Sequence, residues 1–385
     1  MYKWMIIGGG IQGSCVASRL LSEKKVTQEE LIIIDPHAEP LERWRHTTGK
    51  IGMDYLRSPV VHHLDTNPFS LKQYASKHDY AASFRGQYKR PRLDMFNEHC
   101  LDLMEETGVM NCWKQGTVNR LSKTKNGWEV ELDDASCVTS EKVILAIGVN
   151  HVPFYPECMD KYKKEESITH VFDMNHQLPD SGDVIIVGGG MTAGHLACTL
   201  SSNKNIQSVH LIKRHPFRIN RFDSDPGWLG PKYMDGYHNV TSYKDRRLMI
   251  KEARNRGSVT KDLYKKIKKY ERNGDLKVHT GDIKDMIETN GRFRLELQGG
   301  KVLEGSAVVL ATGADIKMPG KSWIDPVIKE MNLPCAPCGF PVVSKSLEWK
   351  QGLYVAGALA ELEIGPVARN IAGARKVSER ITQFA

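Results

Sequence analysis

The sequence predicts an α/β protein made of two parallel-sheet domains, one of them inserted in the other. Two observations lead to this prediction. A short apolar run that ends in a glycine-rich turn occurs twice, at residues 5–13 and 183–194. A further apolar run ending in glycine follows each of them, at 143–148 and 307–313. A strand, a glycine turn and a helix together begin dinucleotide-binding domains of the Rossmann type, so the predicted fold class is two Rossmann-like domains.

The first apolar run predicts a buried strand that ends at Gly8. The pattern Gly-x-Gly-x-x-Gly continues through Gly10 and Gly13. Gly8 allows a tight turn, Gly10 lets the backbone approach a pyrophosphate, and Gly13 lets the next helix pack closely on the sheet. The helix is predicted to begin near Ile11, and its N-terminus favours a phosphate group.

A second apolar run, residues 31–34, ends in Asp35, 22 residues after Gly13. A carboxylate at this place accepts hydrogen bonds from a ribose. The first site is therefore predicted to bind a dinucleotide with a free 2′-hydroxyl. An ordinary strand, turn and helix with an Asp on the surface is the simpler alternative.

Residues 36–100 show no clear alternation of strands and helices and are rich in Pro, Gly and His. So long an excursion from a nucleotide-binding domain is more often functional than idle. A helix is predicted from Pro91 to about Thr107. Residues 116–133 then alternate as in a small antiparallel sheet with a turn at Asn126-Gly127.

The second glycine turn has the pattern Gly-x-Gly-x-x-Ala, formed by Gly188, Gly190 and Ala193. The next apolar run ends in Lys213 and Arg214 instead of an acid. Cations at this position pair with a 2′-phosphate, so the second site is predicted to bind NADPH. A solvated strand end is the alternative interpretation of the two basic residues.

Three later strands are each predicted to end in a glycine beside a cofactor: Gly148, Gly313 and Gly357. A last helix is predicted to begin at Gly365-Pro366 and to run to Arg380. The predicted organisation is an FAD-binding domain of residues 1–160 plus 315–385, with an NAD(P)H-binding domain of residues 165–314 inserted in it.

Composition excludes several classes of protein. The chain has 385 residues, of which 40% are hydrophobic and 26% charged, and it has no apolar run near the roughly 20 residues that cross a bilayer. Its eight cysteines are too few for a disulfide scaffold and are expected to be reduced, which favours the cytoplasm. The net charge of +8 comes from scattered Lys and Arg residues, so neither nucleic acid nor a membrane is expected as a partner.

In its layout the chain resembles the flavin-dependent monooxygenases, and most of all the lysine and ornithine N-hydroxylases of siderophore synthesis. The resemblance is carried by Tyr55-Leu56-Arg57-Ser58-Pro59, by Asn67-Pro68-Phe69-Ser70-Leu71 with Tyr74, and by Pro91-Arg92-Leu93-Asp94-Met95-Phe96. It implies FAD and NADPH as cofactors and molecular oxygen as a co-substrate. It also implies oxygenation of a small amine, sulfur compound or carbonyl compound through a flavin hydroperoxide.

The resemblance also implies a set of catalytic residues. Arg57 stands where the family has a lysine that contacts the substrate, and His62 and His63 follow in the segment expected near the flavin. One buried and one exposed histidine is the simpler interpretation of this pair. Ala358 stands where many related flavoproteins have an Asp that holds the ribityl chain.

Two alternatives to a monooxygenase remain open from the sequence. Cys335-Ala336-Pro337-Cys338 has the spacing of a reactive dithiol, which would make the chain a dithiol or disulfide reductase. Two reduced loop thiols, or half of a zinc site, are other interpretations, and no metal is predicted. A protein that binds FAD and NADPH as a redox sensor with little turnover is the second alternative. The oligomeric state cannot be read from the sequence.

Overall fold

The computed structural model describes residues 1–149, 152–315 and 317–384. The strands are β1 Tyr2–Ile7, β2 Leu31–Asp35, β3 Phe84–Arg85, β4 Arg90–Pro91, β5 Trp113–Gln115, β6 Val118–Thr124, β7 Gly127–Leu132, β8 Cys137–Leu145, β9 Ile168–His170, β10 Gly182–Val187, β11 Ile206–Lys213, β12 Arg218–Ile219, β13 Ser258–Val259, β14 Lys277–Thr280, β15 Ile283–Thr289, β16 Arg292–Leu297, β17 Val302–Gly305, β18 Ala307–Leu310, β19 Glu348–Lys350 and β20 Leu353–Val355.

The α-helices are α1 Ile11–Ser22, α2 Glu42–Lys50, α3 Ser70–Lys77, α4 Leu93–Glu106, α5 Met191–Ser202, α6 Pro231–Asn239, α7 Tyr243–Ala253, α8 Lys261–Asn273, α9 Lys321–Met331, α10 Glu361–Ile364 and α11 Ile371–Gln383. Single 3₁₀ turns lie at Gln28–Glu30, Val109–Cys112, Glu157–Tyr162, Pro226–Leu229 and Gly357–Ala360. Within the described part of the chain, none of the helices is both long and apolar enough to cross a membrane.

The first main sheet has eight strands in the order β19-β20-β8-β1-β2-β5, with β6 and β7 attached through β8. Strand β1 lies between β8 and β2 and runs parallel to both. Met5 and Ile6 in β1 have no solvent exposure, because helices and neighbouring strands cover them. The carboxyl ends of β1, β2 and β8 therefore meet at one edge of the sheet, and that edge carries the first glycine turn.

The second main sheet has the order β14-β11-β10-β18-β9, and all its pairings are parallel. Strand β10 lies between β11 and β18, as β1 lies between β2 and β8 in the first sheet. All strands of the second sheet come after β8 and before β19 in the chain. The prediction of two Rossmann-like units, the second inserted in the first, is confirmed.

The smaller elements agree with the sequence in part. The predicted antiparallel pair is present as β6 and β7, and the helix predicted from Pro91 is α4. The predicted start of the last helix is wrong: Gly365, at φ +83°, ends α10, and α11 begins only at Ile371. Residues 365–370 form turns, and Asn370 in an extended conformation precedes the helix.

The excursion over residues 36–100 joins the two sheets. Its first part forms α2, a helix that the sequence pattern did not predict. The Arg43 side chain donates a hydrogen bond to the carbonyl of Phe172, at 2.8 Å. The carbonyl of Ile51 accepts a hydrogen bond from the Thr199 hydroxyl on α5, at 3.0 Å. The segment between β2 and β5 therefore fixes the first unit to the second.

The close packing of α1 on β1 depends on Gly13. A Cβ atom on Gly13 would lie 1.8 Å from the carbonyl oxygen of Gly8, a distance that no side chain adopts next to backbone. A Cβ atom on Gly10 would have no atom within 4 Å. The two glycines of one turn therefore serve different purposes, since Gly13 gives close packing and Gly10 leaves open space.

Replacement of Gly13 by Ala separates these effects. Ala favours a helix interior over Gly by about 1 kcal/mol, but the clash with the Gly8 carbonyl forces α1 away from the sheet. We expect Gly13→Ala to lower the free energy of unfolding by about 2 kcal/mol or more, measured by urea denaturation. Gly10→Ala is the matched control and should change it by less than about 0.5 kcal/mol. Equal effects of the two substitutions would contradict this account.

Candidate dinucleotide and active sites

The first glycine turn is shaped to receive a phosphate. Gly8 has φ +105°, and its amide donates to the carbonyl of Ile34 at 2.8 Å, which holds the turn against β2. A Cβ atom on Gly8 would lie 2.6 Å from the Ala146 carbonyl oxygen. The space beside Gly10, which precedes α1, leaves the N–H groups of the first helical turn approachable.

Asp35 is held next to this turn by three hydrogen-bonding groups. One carboxylate oxygen accepts the Gly9 amide at 2.7 Å. The other accepts the His37 amide at 2.9 Å and faces His37 Nδ1 at 2.8 Å. A carboxylate has about four acceptor positions, so this arrangement orients Asp35 and leaves capacity for a ribose hydroxyl.

Trp113 is a site residue that the sequence analysis missed. Its ring occupies the space that a Cβ atom on Gly9 would need, and its indole N–H donates to the His37 carbonyl at 3.1 Å. The ring is partly exposed and lies at the start of β5, next to β2. It thus provides an aromatic face beside Asp35. A single Trp at a strand start carries no pattern that would have revealed this.

The segment that begins at Gly357 packs against the start of α1. Gly357 has φ +60°, and a Cβ atom on it would lie 3.0 Å from Gln12 Cγ. The Gln12 amide donates to the carbonyls of Ala368 and Asn370, at 3.0 and 3.4 Å. The side-chain oxygens of Gln12 and Asn370 are buried and have no hydrogen-bond partner within the described residues. Such orphaned oxygens fit a site that a polar cofactor completes.

The two other glycines predicted beside a cofactor, Gly148 and Gly313, both border open space. Gly148 and Gly313 have φ +65° and +83°, and a Cβ atom on either would meet nothing within 4 Å. Both follow parallel strands of the two sheets and are compatible with a ligand above the sheet edge. Ala358, by contrast, is buried, and the side chain at this position is apolar.

The second glycine turn resembles the first, but another loop of the chain passes closer to it. Gly188 has φ +153°, and its Cβ atom would lie 2.5 Å from the Ala311 carbonyl oxygen. Ala193 is fully buried in α5. Gly190 precedes α5, and a Cβ atom there would lie 3.5 Å from Gly257 Cα, so a loop passes close to this turn.

The structure separates the two predicted cations after β11. Lys213 is only 6% exposed, and its ammonium group donates to Thr280 Oγ1 at 2.6 Å and to the His215 carbonyl at 3.2 Å. Burial lowers the pKa of Lys213. Arg214 is exposed. The ammonium group of Lys213 is therefore used within the fold, whereas Arg214 is open to solvent; the prediction that both face the nucleotide stays a prediction.

Arg57 is likewise used within the fold. Its guanidinium donates to the carbonyls of Asn220 and Phe222, at 3.0 and 2.6 Å, and to the Ser258 hydroxyl at 2.9 Å. These partners belong to the segment that follows the second glycine turn. Arg57 thus positions two segments against each other, and the substrate contact expected of it stays a prediction.

His62 and His63 match the simpler interpretation, one side chain fully buried and the other partly exposed. The His63 ring packs edge-on against His99, with centroids 5.2 Å apart, and its Nε2 lies 3.3 Å from the Pro68 carbonyl oxygen. Burial lowers the pKa of His63 to about 3 and that of His62 to about 4, so both are neutral. The structure places His63 inside the fold, with no solvent exposure, and the catalytic role expected of it stays a prediction.

Cys335 and Cys338 are free and exposed, and they lie in a tight turn. The Gly339 amide donates to the Ala336 carbonyl at 2.8 Å, and the Ala336 amide to the Phe340 carbonyl at 2.9 Å. Within the residues that the structure describes, no three His, Cys, Asp or Glu side chains form a group that could hold a metal.

Two parallel sheets, each with a strand–glycine–helix turn, define a protein with two dinucleotide sites. The family of pyridine nucleotide-disulphide oxidoreductases matches residues 2–376, and the chain belongs to this family. It is therefore an oxidoreductase, as predicted. A curated relative, the apoptosis-inducing factor homolog B of Dictyostelium discoideum, is 24% identical over 127 residues, which are 33% of this chain and 31% of that protein.

Solved structures share the whole fold at low sequence identity. An ornithine N-hydroxylase of Kutzneria is 15% identical with a TM-score of 0.81, and the alignment covers 100% of this chain and 98% of that one. The ornithine hydroxylase of Pseudomonas aeruginosa is 17% identical with a TM-score of 0.79, at the same coverage. The bacillithiol disulfide reductase of Staphylococcus aureus is 13% identical with a TM-score of 0.66, covering 100% and 97%. The resemblance to N-hydroxylases is confirmed as a likeness of fold.

The buried histidines predict how stability depends on pH. In the unfolded chain a histidine has a pKa near 6.5, whereas in the folded protein the pKa of His63 is about 3. The unfolded state therefore binds more protons between these values. The contribution of His63 is complete above about pH 6.5 and is lost as the pH falls towards 3, with a slope of about 1.4 kcal/mol per pH unit.

His63→Leu should remove one titrating group from the pH dependence of the unfolding free energy. We expect the plot of unfolding free energy against pH, measured by urea denaturation from pH 7 to 4.5, to be flatter in the variant. His78→Leu, at an exposed position, is the control and should keep the wild-type slope. An unchanged slope in His63→Leu would show that His63 is not held neutral.

Proposed function

We propose that the chain is an FAD- and NADPH-dependent monooxygenase that acts on a small nucleophilic substrate. FAD is assigned to the first glycine turn, in a domain of residues 1–160 plus 315–385. NADPH is assigned to the second turn, in a domain of residues 165–314. The proposal rests above all on one observation: both glycine turns follow the central strand of a sheet, β1 or β10, which runs parallel to both of its neighbours.

The residues of the first turn fit FAD. The N–H groups after Gly10 would receive the pyrophosphate, and Asp35 would accept a ribose hydroxyl. The buried oxygens of Gln12 and Asn370 would gain polar partners from the cofactor, and the Trp113 ring would lie along its adenosine part. FAD, when bound, supplies the site that takes a hydride from NADPH and reacts with oxygen. The protein residues hold it, orient it and exclude water.

Oxygenation is supported by the N-hydroxylases among the similar solved structures. The two ornithine hydroxylases reach TM-scores of 0.79 and 0.81, while the bacillithiol disulfide reductase, at 0.66, is as similar as a lysine monooxygenase of Nocardia farcinica, at 0.63. The Kutzneria protein was solved with reduced FAD, NADP⁺ and L-ornithine. A small substrate and molecular oxygen are therefore proposed for this chain. The cytoplasm is proposed as its location, and the eight free cysteines support a reducing compartment.

The coupling of NADPH oxidation to product formation tests the proposal. Purified FAD-loaded protein is given NADPH in air with amines, thioethers or ketones, while oxygen, hydrogen peroxide and product mass are followed. We expect one class of compound to give a product 16 mass units heavier, with less than one peroxide formed per NADPH. If every compound leaves the peroxide yield equal to the NADPH consumed, the monooxygenase proposal fails.

A dithiol or disulfide reductase is the second candidate. The observation in its favour is that Cys335 and Cys338 are both exposed, and that Cys338 is near the guanidinium of Arg247, whose pKa is raised by Glu361 and Cys338 against the opposing effect of burial. This arrangement brings a thiol near a cation that also contacts the segment after Gly357. If Cys335→Ser abolishes NADPH oxidation driven by an added disulfide while flavin reduction persists, this candidate replaces the first.

The choice of nucleotide is expected to depend on Arg214. Loss of an Arg–phosphate hydrogen-bonded ion pair weakens binding by about tenfold or more, so Arg214→Ser should raise the KM for NADPH at least tenfold. The KM for NADH, which lacks the 2′-phosphate, should stay unchanged. Arg294→Ser, an exposed position on β16, is the control. Equal changes for both nucleotides would contradict the role of Arg214.

A further inference from the structure

A buried carboxylate lies among several arginines at the junction of the two units. Glu361 has no solvent exposure. Its carboxylate contacts the guanidinium of Arg369 at 2.6 Å and that of Arg247 at 2.7 Å, and Arg254 approaches to 3.8 Å. These neighbours hold the pKa of Glu361 below its usual value against the opposing effect of burial. The carboxylate is therefore ionised.

The positive charges outnumber the negative ones. Arg254 also pairs with Asp223, at 3.0 Å. Arg256 is near this group: partial burial of its guanidinium and the charges of Arg254 and Arg369 lower its pKa, although the residue as a whole is exposed. We call Arg247, Arg254, Arg256 and Arg369 the arginine cluster. Among the residues that the structure describes, the ion pairs of the cluster involve two carboxylates, Glu361 and Asp223, so its four arginines leave an excess of two positive charges.

The cluster also has unused hydrogen-bond donors. The Nε–H groups of Arg247, Arg254 and Arg369 are buried and have no acceptor within the described residues. The Arg256 side chain is exposed and takes part in no hydrogen bond or ion pair within the same residues. Donors and positive charge that the fold leaves unmatched are costly unless an anion or water compensates them.

The cluster lies beside the proposed FAD site. Glu361 follows Gly357 by four residues, and Gly357 packs on Gln12. Arg369 stands between Ala368 and Asn370, whose carbonyls both accept from the Gln12 amide. The other arginines come from α7 and the loop after it, in the inserted unit. A ligand at the cluster would thus lie between the two units and close to the start of α1.

We propose that the arginine cluster binds the anionic part of the substrate, a dianionic group such as a phosphate monoester or a pair of carboxylates. Two excess charges and the fork of donors on each guanidinium match such a group. Arg256 is the most accessible member and makes the first contact, while Glu361 orients Arg247 and Arg369. This assignment rests on the proposed function, because it names the substrate class of that same site.

Binding of inorganic phosphate and of malonate to the FAD-loaded protein tests the assignment without any oxygenation. Titration calorimetry at constant ionic strength should show one saturable site for each ion, and acetate should bind more weakly. Arg256→Gln, at a side chain with no partner in the fold, should keep the stability of the protein and raise the dissociation constant about tenfold or more. Arg120→Gln, an exposed position on β6, is the matched control and should bind as the wild type does.

A second arm distinguishes the substrate from the phosphates of NADPH. Repeating the titration in saturating NADP⁺ should leave phosphate binding in place. Loss of binding under NADP⁺ would assign the cluster to the nucleotide, and no saturable binding, or none altered by Arg256→Gln, would overturn the proposal outright. Anion binding is measured without any product, so its result is independent of the oxygenation assay. Binding can be absent although oxygenation is found, and it can be present although oxygenation is not.

Discussion

The contact between α1 and β1 is the constraint on which the rest of the structure depends. The carbonyl of Gly8 and the backbone of Gly13 approach so closely that a single methyl group between them would be 1.8 Å from the oxygen. This approach directs the helix N-terminus at the edge of the sheet, where Asp35 is already fixed by the Gly9 amide. The second turn is built differently: a Cβ atom on Gly188 would lie 2.5 Å from the Ala311 carbonyl oxygen, and Ala193, which has a methyl group, stands in the place of Gly13. Both turns are nevertheless shaped by close backbone packing and need no charged side chain.

The polar segment between β2 and β5 determines how the two turns are arranged. Arg43 and Arg57 donate to backbone carbonyls of the inserted unit, and Thr199 donates in return to the Ile51 carbonyl. Hydrogen bonds from charged groups to buried carbonyls are stronger than neutral ones, so a few of them hold the junction. Arg57, expected to contact the substrate, therefore also has a structural role, and unmatched hydrogen-bond donors lie instead in the arginine cluster.

The sequence predicted the features that depend on local backbone rules. The glycine turns, the strands before them, the acid at residue 35 and the hairpin at Asn126-Gly127 each need particular residue types at fixed spacing, so they were recognised. The start of α11 was wrong because Gly365 and Pro366 suit a turn as well as a helix start. The burial of Lys213 was not predicted, because its hydrogen bond is to Thr280, which is distant in sequence.

Features made by distant residues could not be predicted. The arginine cluster joins residues 247, 254, 256 and 369, and no spacing rule links α7 to the segment before α11. Trp113 reaches Gly9 only because β5 pairs with β2. Such contacts arise from tertiary packing, and a single sequence contains no local sign of them.

Anaerobic titration of the purified protein with NADPH tests most directly the central claim, that one chain holds FAD and NADPH at adjoining sites. The account predicts that bound flavin is bleached by about one equivalent of NADPH in a single fast phase. Protein that carries no flavin, or flavin that neither NADPH nor NADH reduces, would contradict it.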